Sequence, residues 1–220
     1  MTRPSWLTLI FGTLIATGLL WLPSALAQTA TPPFVEKLAT PALLKQLQAG
    51  GLVLYMRHGN TDNSKPDAVP KVDLNDCATQ RPLNDEGRRT AAQVGKYIKA
   101  AKIPLVEVFH SPLCRARESA ELAFGPYKHS LRQEMNLMYV GNFTSEEKIP
   151  VQAKTRELLS EPVAPGRNRV LVAHAPNLAD LMGYFVKPEG TVVVIKPLGN
   201  GKFDYLASIH PSMWPALLVP

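Results

Sequence analysis

Leu52-Val53-Leu54-Tyr55-Met56-Arg57-His58-Gly59 is the stretch on which the fold turns. An apolar run this short, with Gly50-Gly51 before it and a polar, proline-dotted segment after it, reads as a buried β-strand over residues 52–56. Its end carries the chemistry. Arginine offers a planar fork for an anion, the adjacent histidine is a nitrogen nucleophile, and glycine lets the backbone turn or approach a ligand closely. Alone, the tripeptide is equally consistent with a surface turn, so its meaning depends on what recurs along the chain.

The plan recurs twice. Residues 105–109 form a second strand, followed by His110-Ser111-Pro112-Leu113-Cys114-Arg115-Ala116 and a helix through Ala123. Residues 169–173 form a third, followed by His174-Ala175-Pro176-Asn177 and a helix over residues 178–185. Upstream, Thr40-Pro41 opens a helix with a hydroxyl cap and a proline at its first position, and Gly50 closes it. Ala91, Val94, Tyr97, Ile98 and Ala101 fall at helical spacing, with Asn84 or Asp85 as the cap. Residues 60–82 hold prolines at 66, 70 and 82 and no period, which inside a compact domain reads as a lid or binding loop. Residues 126–165 are irregular apart from a helix near 145–159. Residues 192–195 and 203–209 flank Gly199-Asn200-Gly201, a hairpin signal.

Strands alternating with helices predict an open, mainly parallel α/β sheet, and such sheets bind ligands beyond the carboxyl ends of their strands. Arg57, His58, Arg115 and His174 each follow a strand end, so one pocket can hold all four. Cations gathered in a core are costly unless an anion compensates them, and a phosphate would do so.

The ends and composition set the context. Arg3, an apolar run over residues 6–22 and Ala25-Leu26-Ala27 have the order of a secretory signal peptide, residues 1–27. A flexible leader over residues 28–39 and one domain over residues 40–220 are expected to follow. The expected location is periplasmic or secreted, with no stable membrane insertion after cleavage. The chain has 220 residues and a formal charge of +6, which favours anionic substrates. Its cations are scattered and not interleaved with aromatics, so nucleic acid is excluded as the expected partner in favour of a small phosphorylated substrate. Cys77 and Cys114 form an even pair for an oxidising compartment, and a bond between them would tie the long loop to the residue before Arg115.

Arg57-His58-Gly59-x-Thr61, Leu83-Asn84-x-x-Gly87, Ser111-Pro112-Leu113-x-Arg115-Ala116-x-x-Ser119-Ala120 and Val170-Leu171-Val172-x-His174, in that order, resemble the histidine phosphatase superfamily, also called phosphoglycerate mutase-like. The resemblance implies a three-layer α/β/α sandwich with a mainly parallel sheet and a phosphohistidine intermediate on His58. It also implies a phosphate pocket made by Arg57, Arg115 and His174, with Gly59 and Thr61 expected to contact the phosphate as well. Neither a metal nor a cofactor is expected.

The chemistry of the residues agrees with those roles. His58 must be neutral to attack phosphorus, and neighbouring arginines disfavour its imidazolium. The same arginines balance the phosphoryl oxygens in an in-line transition state. Arg117 is the alternative to Arg115, and His110 reads as a neighbour of the site. Arg88 and Arg89 read as a solvated helix face. An alkoxide leaving group needs a carboxylic acid to protonate it. Glu134 stands where the mutase-like branch carries its acid, with Asp62, Asp73 and Asp76 as rivals.

Two departures narrow the branch. Ala175 follows the second histidine where phytase-like members carry aspartate, and Asn60 follows Arg-His-Gly where mutases carry glutamate. The expectation is therefore an exported phosphomonoesterase. The alternatives are a phosphoprotein or phosphohistidine phosphatase, and a non-catalytic phosphate-binding member of the same fold.

Overall fold

The computed structural model describes residues 33–218. The expected signal peptide and the first part of the leader lie outside the described residues. In chain order the elements are α1 (Pro41–Ala49), β1 (Val53–Arg57), α2 (Asp85–Ala100), β2 (Leu105–His110), α3 (Cys114–Phe124), β3 (Leu131–Gln133), α4 (Ser145–Ser160), β4 (Asn168–Ala173), α5 (Ala175–Met182), β5 (Val192–Gly199), β6 (Lys202–Ile209) and α6 (Trp214–Leu217), with short 3-10 turns between some of them. The six strands form one sheet in the order β3-β2-β4-β1-β5-β6. β3, β2, β4 and β1 run parallel to one another, whereas β5 is antiparallel to β1 and to β6.

The alternation of side chains along each strand sorts the core into two layers. Leu54, Met56, Val108, Val170 and Val172 face α1, α2, α3 and α6, where Leu47, Val94, Ile98, Phe124 and Trp214 are buried against them. Val53, Tyr55, Leu171 and Ala173 face the other way, onto Leu158, Leu159 and Leu178 of α4 and α5. The result is the expected α/β/α sandwich. β1 and β4 are buried almost throughout because both of their faces are covered. Their carboxyl ends, with that of β2, lie side by side: Arg57 is in register with Ala173, and His110 with Val172.

Several boundaries differ from the sequence reading, each for a local reason. Helix α2 starts at Asp85 because the Asn84 carboxamide accepts the amide of Gly87 at 2.8 Å. Helix α5 begins directly after His174, which is its extended cap residue, has Pro176 in its first turn, and stops at Gly183 in the left-handed region. The short edge strand β3 and the C-terminal α6 have too few residues to show a period.

The leader is a correction from residue 33 onward. Phe34 stacks on Tyr184 with ring centroids 4.4 Å apart, the Ala39 amide donates to the Ser208 carbonyl at 2.9 Å, and Ala39 is buried. An aromatic anchor and a backbone pairing on β6 hold this segment to the domain. A sequence of mixed polarity with two prolines gives no sign of that.

Candidate active site

His58 leaves β1 on the α2/α3 side, and only 3% of it is exposed. Its Nδ1 lies 2.8 Å from the carbonyl of Gly59. A carbonyl can only accept, so Nδ1 carries the hydrogen and Nε2 keeps its lone pair. Burial first, and then the Arg115 charge, push the imidazole down to about 3, with Arg57 and Arg81 adding to the effect. The ring is therefore neutral at any ordinary pH, as a nitrogen nucleophile must be.

The loop that presents His58 is fixed by close backbone contact. A Cβ on Gly59 would come within 2.4 Å of the Gly87 carbonyl oxygen, and one on Gly87 within 2.1 Å of that of Asn60. Two glycines thus let the nucleophile loop rest directly on the first turn of α2, which explains the Asn84-x-x-Gly87 pattern. The Gly59 amide donates to Ser119 Oγ at 3.0 Å, and Ser119 donates to the Arg115 carbonyl at 2.7 Å. Both polar backbone groups of Gly59 are therefore committed within the protein, which corrects its expected part in phosphate contact. Thr61 pairs with Leu83 across a single bridge, and its carbonyl accepts from the Asn84 carboxamide at 3.3 Å.

His174 is fully buried at the start of α5. The Tyr55 hydroxyl donates to its carbonyl at 2.7 Å and accepts its amide at 3.1 Å, so one phenol pins the residue's backbone on both sides. Its Nε2 is 2.8 Å from Ser111 Oγ, while Nδ1 is buried without a partner. Burial, followed by the His58, Arg115, Arg57 and Arg81 groups, holds this imidazole well below its ordinary range. The two histidine rings meet edge to face with centroids 5.1 Å apart.

Three arginines surround them. Arg115, in the first turn of α3, is completely buried; its Nη1 donates to Asp67 Oδ1 at 2.9 Å, and its Nε and Nη2 have no partner. Arg117 is part-exposed and points at the Cys77–Cys114 bridge and Glu121, so of the two arginines Arg115 is the inward one. Arg57 leaves β1 on the opposite face from His58. Its Nη1 donates to the Val186 carbonyl at 2.7 Å, its Nη2 pairs with Glu189, and its buried Nε is unpartnered. Arg57 is thus a braced residue whose buried Nε–H is unused, not the free fork expected from the sequence. Arg81 is the third: its Nε is also buried and unpartnered, and its charge acts on both histidines.

Buried polar groups in folded proteins are nearly always paired. Here Arg57 Nε, Arg81 Nε, Arg115 Nε and Nη2, and His174 Nδ1 are buried and unpaired, and the three arginine charges act on the neutral His58 imidazole. A tetrahedral oxyanion with several acceptor oxygens satisfies such a set.

Asp67, Arg81 and Ser111 carry parts of the site that sequence reasoning assigned to none of them. Asp67 sits in the aperiodic loop with no local signal, accepts the Arg81 amide at 2.7 Å as well as Arg115, and lines the adjoining cavity. Glu134, the expected proton donor, lies at the end of β3. Its carboxylate accepts the Asn136 amide at 2.9 Å, and no hydrogen bond among the described residues joins it to His58, His174 or Arg115. Asp62, Asp73 and Asp76 are used within the loop, accepting the amides of Ser64, Asn75 and Ala78. His110 is buried, with Nδ1 2.9 Å from the Ser111 carbonyl, and stays a neighbour. Arg88 and Arg89 pair with Glu118 and Glu86 on the surface of α2.

The loop is tied down at several points. Cys77 and Cys114 are joined by a disulfide with Cα atoms 5.8 Å apart. Gln80, also buried, accepts the Cys114 amide at 2.7 Å, and Asp67 holds Arg115.

Residues 53–175 match the histidine phosphatase superfamily, branch 1. The chain is 30% identical over 105 residues to an uncharacterized phosphatase, PhoE, of Bacillus subtilis (strain 168), a match covering 47% of this chain and 49% of the relative. It therefore spans about half the length of that curated relative. Among solved structures it resembles the protein histidine phosphatase SixA complexed with tungstate, at 20% identity and TM-score 0.52, over 73% of this chain and 97% of the other. It also resembles the alpha-ribazole phosphatase from Shigella flexneri, at 15% identity and TM-score 0.55, over 73% and 96%. At these identities the structural likeness is one of fold.

Proposed function

The chain belongs to branch 1 of the histidine phosphatase superfamily, and from that premise we propose that it is a phosphomonoesterase working through a phosphohistidine on His58. The observation that carries the reading is that Arg57, Arg81 and Arg115, each with a buried unpartnered nitrogen, direct their charge onto a neutral His58 imidazole whose Nε2 keeps its lone pair. Nε2 attacks phosphorus in line and forms an N–P bond while the P–O bond to the alcohol breaks. The unpaired donors take up the charge of the equatorial oxygens, and because they are already in place no reorganisation is needed as the transition state forms.

Asp67 is the carboxyl group we assign to the leaving oxygen, in place of Glu134. In the free protein it occupies Arg115. A substrate phosphate claims that guanidinium, and the displaced Asp67 carboxylate, now beside a dianion, takes up a proton from solvent and donates it to the alkoxide. A water molecule then gives its proton to Asp67 and its oxygen to phosphorus. The N–P bond breaks, and inorganic phosphate and neutral His58 are restored.

Export to the periplasm or medium belongs to the same proposal. It rests on the N-terminal sequence pattern, with the disulfide compatible with an oxidising compartment.

Rapid quenching after mixing with a phosphate-labelled ester tests the reading. The expected result is a label that is stable in alkali, lost in acid and absent from His58→Ala. Turnover without such a label, or full activity in His58→Ala, would rule the mechanism out. Phosphate binding with no turnover of any ester would make the chain a phosphate-binding member of the family.

A further inference from the structure

Resting on that phosphatase reading, we infer that the cavity beside the phosphate site is a leaving-group site for an uncharged, mainly apolar or aromatic alcohol. The cavity holds about 720 Å³, within the range of small-molecule sites. The loop from Asp67 to Leu74 forms one wall; Leu113, Met138, Tyr139 and Phe143 form the other.

The cavity adjoins the reacting centre through residues the two share. Asp67 touches Arg115 and also lines the cavity. The Tyr139 ring, on the opposite wall, lies 5.6 Å from the Arg115 guanidinium and 5.6 Å from the His174 ring. A phosphate on the arginines therefore directs its ester oxygen past Asp67 and its alcohol into this space.

Charge is segregated between the two regions. Arg57, Arg81 and Arg115 are at the phosphate end. In the cavity wall the charged residues are Asp67, Asp73 and Glu147, with Lys71 as the one cation among the described lining residues. A second phosphate or a carboxylate on the alcohol would face those carboxylates, whereas an aromatic or aliphatic body meets Tyr139, Phe143, Met138 and Leu113. This deepens the phosphatase reading: it disfavours bisphosphates and phosphorylated acids and favours monophosphate esters of apolar alcohols.

The test compares esters whose alcohols leave with similar difficulty: 2-naphthylmethyl phosphate, glycerol 1-phosphate, 3-phosphoglycerate and fructose 1,6-bisphosphate. The expected order of kcat/KM puts the naphthylmethyl ester first and the two polyanions last. Phe143→Ala should lower the naphthylmethyl-to-glycerol ratio by roughly three- to tenfold, the worth of one aromatic contact. Asp73→Lys should raise the rate on 3-phosphoglycerate relative to the naphthylmethyl ester. A preference for either polyanion, or ratios unmoved in both variants, would overturn the inference. Binding of 2-naphthylmethylphosphonate and of 3-phosphonopropionate to His58→Ala, measured by calorimetry, keeps the two claims apart. If no ester turns over, the phosphatase reading fails, yet tighter binding of the naphthyl phosphonate still supports the cavity assignment and tighter binding of the carboxylated one refutes it.

Discussion

Replacing Asp67 with asparagine separates its two proposed jobs. The carboxylate accepts Arg115 Nη1 at 2.9 Å and the Arg81 amide at 2.7 Å, and asparagine is nearly isosteric and keeps one acceptor oxygen. What is lost is the negative charge facing a guanidinium that is completely buried. Removing one partner of a fully buried pair costs about 3–5 kcal/mol. Asp67 itself retains 24% side-chain exposure and the carboxamide that replaces it would still accept a hydrogen bond, so a loss of about 1–3 kcal/mol is expected. The same loss frees Arg115, so inorganic phosphate should bind the variant more tightly, because it no longer competes with an internal carboxylate. Catalysis should split by leaving group. The nitrophenolate of p-nitrophenyl phosphate departs without a proton, and its kcat should fall by less than about tenfold, whereas benzyl phosphate, which needs a general acid, should fall by about 10²–10⁴. Steady-state kinetics on both esters and phosphate titration by calorimetry read these outcomes. Equal losses on the two esters would remove Asp67 from proton transfer, and unchanged phosphate affinity would refute competition for Arg115.

Three further outcomes follow from the geometry. His58 is held at about 3 against an ordinary 6.5, and His174 is shifted in the same direction, so the unfolded chain takes up protons that the folded one refuses. Stability should be complete above pH 6.5 and fall by about 1.4 kcal/mol per pH unit for His58 as pH drops from there towards 3; urea midpoints against pH should show a shallower slope in His58→Asn. The Cys77–Cys114 bond closes a loop with a sequence separation of 37, worth about 4 kcal/mol in the chain-entropy account, so reductant should lower the melting temperature by on the order of 10 °C and loosen phosphate binding. Gly87→Ala would drive a Cβ to 2.1 Å from the Asn60 carbonyl oxygen, so the variant should lose about 1–3 kcal/mol and most of its kcat, checked by thermal melts and kinetics, while Gly125→Ala, with open space around it, should change neither.

Much of the fold was legible because its signals are local. Helix α1 runs between Thr40-Pro41 and Gly50 as read, although the Thr40 hydroxyl makes no capping bond. The hairpin at Gly199-Asn200-Gly201 has Asn200 and Gly201 both at positive φ, the conformation those residues tolerate. The failures came where no local period exists. The segment from Phe34 to Ala39 reads as leader but is held by Tyr184 and Ser208, residues far along the chain. Glu134 stands where the mutase-like branch carries its acid, yet its carboxylate caps the turn that follows it. Asp67 had no signal, because its importance lies in a contact with a residue 48 positions away.

Sequence alone was enough for the alternation of strands and helices around β1, β2 and β4, for a buried β1, and for the expectation that the residues after those three strand ends share one pocket. Each of these follows from periodicity, capping residues or the rule that parallel strands present their carboxyl ends to a ligand. Tertiary structure alone decided which donors stay unpaired. Arg57 looked like a free clamp, yet Glu189 and the Val186 carbonyl brace two of its nitrogens. Arg81 looked like a loop residue, yet its Nε is buried beside two histidines. Pairing depends on which groups lie within about 3 Å after the chain has closed, and hydrogen-bond reach is too short for sequence spacing to foretell across a loop of this length.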